Sequence, residues 1–152
     1  MGESRTRFGM GRVYLDATAE ARRCGDRRVS TEHVALAMLS DPDSATARAL
    51  GVSLVSARSA LHDLDREALA ALGIEASFDG PVLPGRPNER LRLTPSARAV
   101  FSGLRQEADG DRLSTRHVLL ALLRREPPDP AAELFDALGV DRDAVRDRLR
   151  NA

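Results

Sequence analysis

The sequence predicts an all-α fold, in which two tandem four-helix units pack as one pseudo-twofold helical domain. Three observations carry that expectation. The 152 residues are 42% hydrophobic but only 3% aromatic, without Trp, so the core must be aliphatic. Such composition suits packed helices better than a sandwich, which draws on β-branched and aromatic residues. Second, the apolar positions recur at helical spacing: Met10, Val13, Tyr14, Ala17 and Ala21 fall on one face of a 3.6-residue period. Third, three blocks repeat in the same order, displaced by 84 to 88 residues. Ala97, Val100, Phe101, Leu104 and Ala108 repeat the first face. Leu113-Ser114-Thr115-Arg116-His117-Val118 answers Val29-Ser30-Thr31-Glu32-His33-Val34, and Ala137-Leu138-Gly139-Val140 answers Ala49-Leu50-Gly51-Val52.

Each element follows from local chemistry. The first helix spans about Gly11 to Cys24 and stops at Gly25, a residue free to take the left-handed conformation that ends helices. Ser30 or Thr31 caps a second helix reaching about Leu39; it is apolar nearly all round, so it is expected at the centre of its unit. Asp41-Pro42-Asp43-Ser44 breaks the chain and starts a third helix, which ends at Gly51. Ser53 caps a fourth, with Val55, Leu61 and Leu64 expected on its inner face. In the second unit, Thr94-Pro95 supplies a cap followed by proline in the first helical position. Pro127-Pro128-Asp129-Pro130 makes the corresponding break, and Asp141 caps the last helix. No segment alternates convincingly with a period of two.

These boundaries divide the chain into a flexible tail at 1–7, a first repeat at 8–72, a connector at 73–92 and a second repeat at 93–152. The Pro- and Gly-rich run from Phe78 to Asn88 marks the connector as irregular. Its Phe78, Val82 and Leu83 either fold back on the domain or form a docking patch. Each unit alone is small for an independent folder, hence the expectation of one shared core.

Charge narrows the function. Acids and bases balance at 23 each, which disfavours a general binder of nucleic acid or anionic membranes. Every basic residue is Arg and none is Lys, as codon bias in a GC-rich genome would produce. The absence of Lys removes a Schiff-base lysine, a Ser–Lys dyad and a GxxxxGK[ST] phosphate loop. The single Cys24 has no partner for an internal disulfide, pointing to a reducing compartment and a packed or half-buried structural thiol. No apolar leader or run of about 20 apolar residues occurs, so a cytoplasmic location is expected.

At this point the residues resemble a known family. The Ser-Thr-Glu-His-Val-x-Leu-x-Met-Leu block at 30–39 is similar to the GTEHILLGL signature of the Clp N-terminal repeat, found in the amino-terminal domain of ClpC- and ClpA-type unfoldases. Leu93-Thr94-Pro95-Ser96-Ala97-Arg98-Ala99-Val100 resembles its (F/Y)TPRAKKV opening, and the two Ala-Leu-Gly-Val blocks resemble its LGxxxxxVR junction. The resemblance covers about residues 8 to 150. It implies an all-helical pseudo-dimer that binds clients and adaptor proteins of a Clp AAA+ ring, here as a stand-alone module or a decoy. No cofactor, metal or catalysis is expected; small peptides or peptide-like ligands, but neither nucleic acid nor membrane, are the other expected partners.

The resemblance also assigns candidate site residues. In ClpC domains that bind phosphoarginine, the Glu of each motif pairs with the guanidinium, and the Thr of the opening motif helps hold the phosphoryl group. A carboxylate matches the planar guanidinium fork. Here the first repeat keeps Glu32, while ungapped alignment places Arg7 where the opening Thr belongs. The second repeat keeps Thr94 and replaces the Glu with Arg116, which repels a guanidinium. Taken repeat by repeat, each site keeps half its chemistry, so a degenerate site is expected. Arg116, near a helix start with free N–H groups, is either a solvated side chain or a contact for an anionic group of a partner.

Thr31, His33, Thr115 and His117 are expected to be structural helix-start residues, because duplication explains both histidines and neither lies in a metal-ligand cluster in the sequence. His62, in a polar stretch, is expected to face solvent. No GxSxG elbow occurs. A helix-turn-helix DNA-binding regulator is the alternative, since Thr46 to Arg58 has the small-residue and turn-glycine pattern of that motif. Its recognition helix would run into His62-Asp63-Leu64-Asp65, and its counterpart carries Asp141, Asp143 and Asp147, which phosphate oxygens repel.

Overall fold

The computed structural model describes residues 10–74 and 90–151. The expected tail, most of the expected connector and Arg7 lie outside the described residues. The elements run α1 (Met10–Arg23), β1 (Arg28–Val29), α2 (Thr31–Ala37), α3 (Ala45–Leu50), α4 (Leu54–Ala71), β2 (Arg92–Leu93), α5 (Pro95–Ser102), α6 (Leu104–Ala108), α7 (Thr115–Leu123), α8 (Pro130–Ala137) and α9 (Arg142–Arg150). The fold is all-α.

Side-chain caps account for most helix starts. Ser44, Ser53, Thr94, Asp129 and Asp141 each accept a hydrogen bond from a backbone N–H of the turn that follows. Each such cap is worth about 1 kcal/mol. Gly51 ends α3 at φ +69°, and Gly25 follows α1 at φ +77°, conformations that cost a side chain strain.

Two local differences from the expected elements have clear causes. The opening helix of the second unit is split at Gly103, where φ −87° and ψ 0° tighten the turn between α5 and α6. Glycine holds helical conformation weakly. The buried face nevertheless continues through Ala97, Val100, Leu104 and Ala108. In addition, β1 and β2 form a two-residue parallel ribbon, with Arg28 opposite Arg92 and Val29 opposite Leu93. Two residues are too few to leave a period-two signature.

The core is aliphatic. Leu36, Leu104, Leu119, Leu122, Leu134 and Leu149 are fully buried, with Phe135 the largest side chain among them. Each such leucine contributes about 1.5–3 kcal/mol of burial. α2 is buried at Thr31 and from His33 to Ala37, so it is the centre of its unit. On α4 the inner face runs through Ala57, Leu61 and half-buried Leu64, whereas Val55 is 75% exposed. Six residues separate Val55 from Leu61, which turns it about 120° off that face. The expectation that Val55 packs inward is corrected.

The two units interlock. α8, the third helix of the second unit, packs against α2 and α4 of the first; α3 packs against α7 and α9 of the second. The Arg148 guanidinium on α9 also donates to the Ala49 carbonyl on α3.

Candidate functional site

The two central helices begin alike. At α2, the Ser30 N–H donates to His33 Nδ1 at 2.9 Å; at α7, the Ser114 N–H donates to His117 Nδ1 at 3.0 Å. Each start is a capping box in which His takes the place usual for Glu or Gln. Both rings are buried. Because Nδ1 accepts, the neutral ring carries its proton on Nε2, and in His33 that proton points to Asp26 Oδ2 at 2.9 Å. Burial opposes charge on His33, but hydrogen bonds with Asp26 and Cys24 and the carboxylates of Glu32 and Asp26 outweigh it and draw its pKa upward. An imidazolium has no lone pair on Nδ1, so protonation proceeds only by surrendering the Ser30 bond.

The neighbouring threonines differ. Thr31 is fully buried and joins the two units: its hydroxyl donates to Asp129 Oδ1 at 2.7 Å and accepts from the Ala131 N–H at 3.2 Å. Arg125 Nε closes the other side of Asp129 at 2.9 Å. Thr115, its counterpart on α7, is exposed. The duplication therefore has one locked junction and one open one.

The candidate recognition residues are distributed across the units. Glu32 is half-buried in the first turn of α2, where the helix dipole favours its charge. Its Oε1 is buried without a hydrogen-bond partner. Thr94 caps α5 with its hydroxyl, while its own N–H donates to the Val29 carbonyl at 2.9 Å, three residues before Glu32. Thr94 of the second unit is thus tied to β1, the strand that precedes Glu32 in the first unit. The two-residue ribbon that joins the units is too short to see in the sequence. Arg116 lies apart, in the first turn of α7. Its NH2 is 3.7 Å from Asp111, its side chain is 38% exposed, and its Nε is buried without a hydrogen-bond partner.

On α4, Asp65 lies within reach of the Asp26 and Glu32 charges. Burial first, then the charges of Asp26 and Glu32, push the Asp65 pKa up, against the opposing influence of His33 and His62. His62 is half-buried, not solvent-facing as expected. The HDLD stretch reads as polar, yet His62 lies one residue from Leu61 and shares part of its inner face.

Cys24 is also corrected: it is exposed, because the last turn of α1 leaves the core before it. The fold brings its Sγ, an Asp26 oxygen and a His33 nitrogen within 4.8 Å of one another. The expectation that no such cluster surrounds His33 is corrected: the turn at Gly25 folds Cys24 and Asp26 back onto the start of α2. The cap argues against metal chemistry, since His33 Nε2 holds its proton and offers no lone pair. A triad is also disfavoured: Asp26 sits on Nε2 and the Ser30 N–H occupies Nδ1, so no carboxylate is left to orient the ring from the Nδ1 side. Among the described residues, no helix is long and apolar enough to cross a membrane.

Comparison with known proteins is consistent with this architecture. The sequence profile of the Clp repeat (R) N-terminal domain matches residues 11–126. A crystal structure of the N-terminal domain of the caseinolytic protease associated chaperone ClpD from Arabidopsis thaliana superposes with a TM-score of 0.70. The two sequences are 17% identical, and the match covers 95% of this chain and 96% of that one. At that identity, the likeness speaks for the fold.

Proposed function

Since this chain belongs to the Clp repeat N-terminal domain family, whose domains are non-catalytic interaction modules, we propose that it recognises client or adaptor proteins of a Clp unfoldase, acting as a recognition module or decoy. The observation that best supports this reading is Glu32. A half-buried carboxylate with an unpartnered oxygen is costly to maintain without a purpose. Placed at a helix start beside the Thr94 junction, it suits a cationic group of a bound chain. At the equivalent position of the second unit, Arg116 offers the opposite charge and suits a carboxylate. The two ends of the pseudo-dimer then select different chemistry, a reversal that net charge conceals.

The test is capture from native lysate by the purified chain, with quantitation of Clp unfoldase, adaptors and clients. Enrichment of these proteins, reduced by Glu32→Ala, is the expected result. Recovery of none of them overturns the reading. Arg116→Glu bears on the finer assignment: unchanged affinity for a captured partner removes Arg116 from the site.

A further inference from the structure

We propose that the outward face of the β1–β2 ribbon docks an extended, acidic segment of a partner protein. The register places Arg28 directly opposite Arg92, with both side chains exposed, while Val29 and Leu93 turn toward the core. Neighbouring strands lie about 4.8 Å apart, and like charges directly opposite one another repel. The surroundings strengthen the field: Arg27 follows the end of α1, Arg23 belongs to that end, and Arg90 precedes β2. None of these five arginines has an ion pair among the described residues.

This chain does not lack acids. Elsewhere they are matched to arginines: Glu20 takes both Nε and NH2 of Arg58, Asp129 takes Arg125, and Asp136 takes Arg142. Of the described acids nearest the ribbon in sequence, Asp26 is engaged by His33, and Glu32, held half-buried in the first turn of α2, forms no ion pair with the ribbon arginines. The ribbon therefore leaves a repelling pair of guanidinium forks uncompensated, and carboxylates from outside would complete them.

The occupant follows from the shape of the charge. An extended chain with alternating acids presents carboxylates about 7 Å apart on one side. Such a segment can reach the paired arginines and a flanking one without placing charge elsewhere. A nucleic acid cannot be so selective. Asp26 and Asp65 are close enough to feel each other's charge beside the ribbon, and a continuous row of phosphates would meet them. The arrangement favours a peptide whose acids are local.

The proposal deepens the recognition-module reading and rests on it only in making the partner a protein. The experiment is fluorescence anisotropy of the full chain with a labelled Gly-Ser-Gly-Ser-Glu-Ser-Glu-Ser-Glu-Ser-Gly-Ser peptide, whose acids are local, measured at low salt and at about 0.15 M salt. The expected result is binding that weakens with salt and falls about tenfold or more in the Arg28→Glu/Arg92→Glu double variant. Arg28→Lys/Arg92→Lys, which keeps the charge, retains part of the affinity. Arg105→Glu, on α6, leaves binding unchanged. Circular dichroism checks that each variant is folded, and Arg28→Gln/Arg92→Gln replaces the reversal if it is not. Unchanged affinity in the folded double variant overturns the proposal. So does equal or tighter binding of a single-stranded oligonucleotide with the same number of charges. Peptide binding through the ribbon without capture of any Clp partner leaves this face standing and removes the proposed function; capture without peptide binding does the reverse.

Discussion

At the scale of single residues, duplication has left matched positions with different work. Thr31 and Thr115 occupy the same place in their helices, yet only Thr31 reaches across to a buried carboxylate. Thr31→Ala should cost about 1–3 kcal/mol, since Asp129 loses a buried donor, whereas Thr115→Ala should stay within about 0.5 kcal/mol. Urea denaturation of the two variants checks the asymmetry. Asp65 supplies a prediction with a pH signature. Its pKa is raised in the folded chain, so ionisation weakens the fold above the ordinary carboxylate range. Asp65→Asn should therefore raise stability at neutral pH, by about 0.5 kcal/mol or less at this exposed position. The gain should vanish in acid, where Asp65 is protonated in both states; a gain of equal size at low pH would contradict this cause. Sequence alone placed a cap at Ser30 or Thr31, and the family resemblance made Glu32, Thr94 and Arg116 recognition candidates. It could not reveal that Thr31 is a link between units, because its partner lies 98 residues away.

At the scale of elements, helix starts were legible wherever Ser, Thr or Asp precedes an apolar run, as at Ser44, Ser53, Thr94 and Asp141. The break inside the second unit's opening helix was not, because the apolar spacing passes through Gly103 unchanged. That glycine has an ordinary φ, and an added Cβ would come no closer than 3.4 Å to the Ala99 carbonyl oxygen. Gly103→Ala should join α5 to α6 and raise stability by about 0.5 kcal/mol. Gly51 has φ +69°, so Gly51→Ala should instead destabilise by about 1 kcal/mol. Thermal unfolding of the pair tests both signs. The ribbon was hidden for a different reason. A pairing of two residues contributes no periodicity, and it is fixed by the tertiary fold that brings Val29 to Thr94. The same concealment obscured the tie between Thr94 and Val29 and the opposition of Arg28 to Arg92.

At the scale of the whole molecule, the repeat in the sequence predicted a shared core, and the packing shows how it is shared. Each unit's third helix rests on the second and fourth helices of the other. A fragment holding only residues 90–152 would expose the faces that α3 and α4 cover, so it should show no cooperative unfolding transition while the full chain shows one. Cooperative melting of the isolated half would contradict the interlocked arrangement. The same interlocking holds the Glu32 and Arg116 ends as parts of one body, as a recognition module requires. The most direct test of that role is a competition: degradation of a client by a reconstituted Clp unfoldase and its peptidase, followed as this chain is added in excess. The account predicts that the chain binds client or adaptor and slows degradation in a dose-dependent way, with the effect weakened by Glu32→Ala. An unchanged rate at saturating chain, with no complex detected between the chain and client or adaptor by sedimentation, would contradict it.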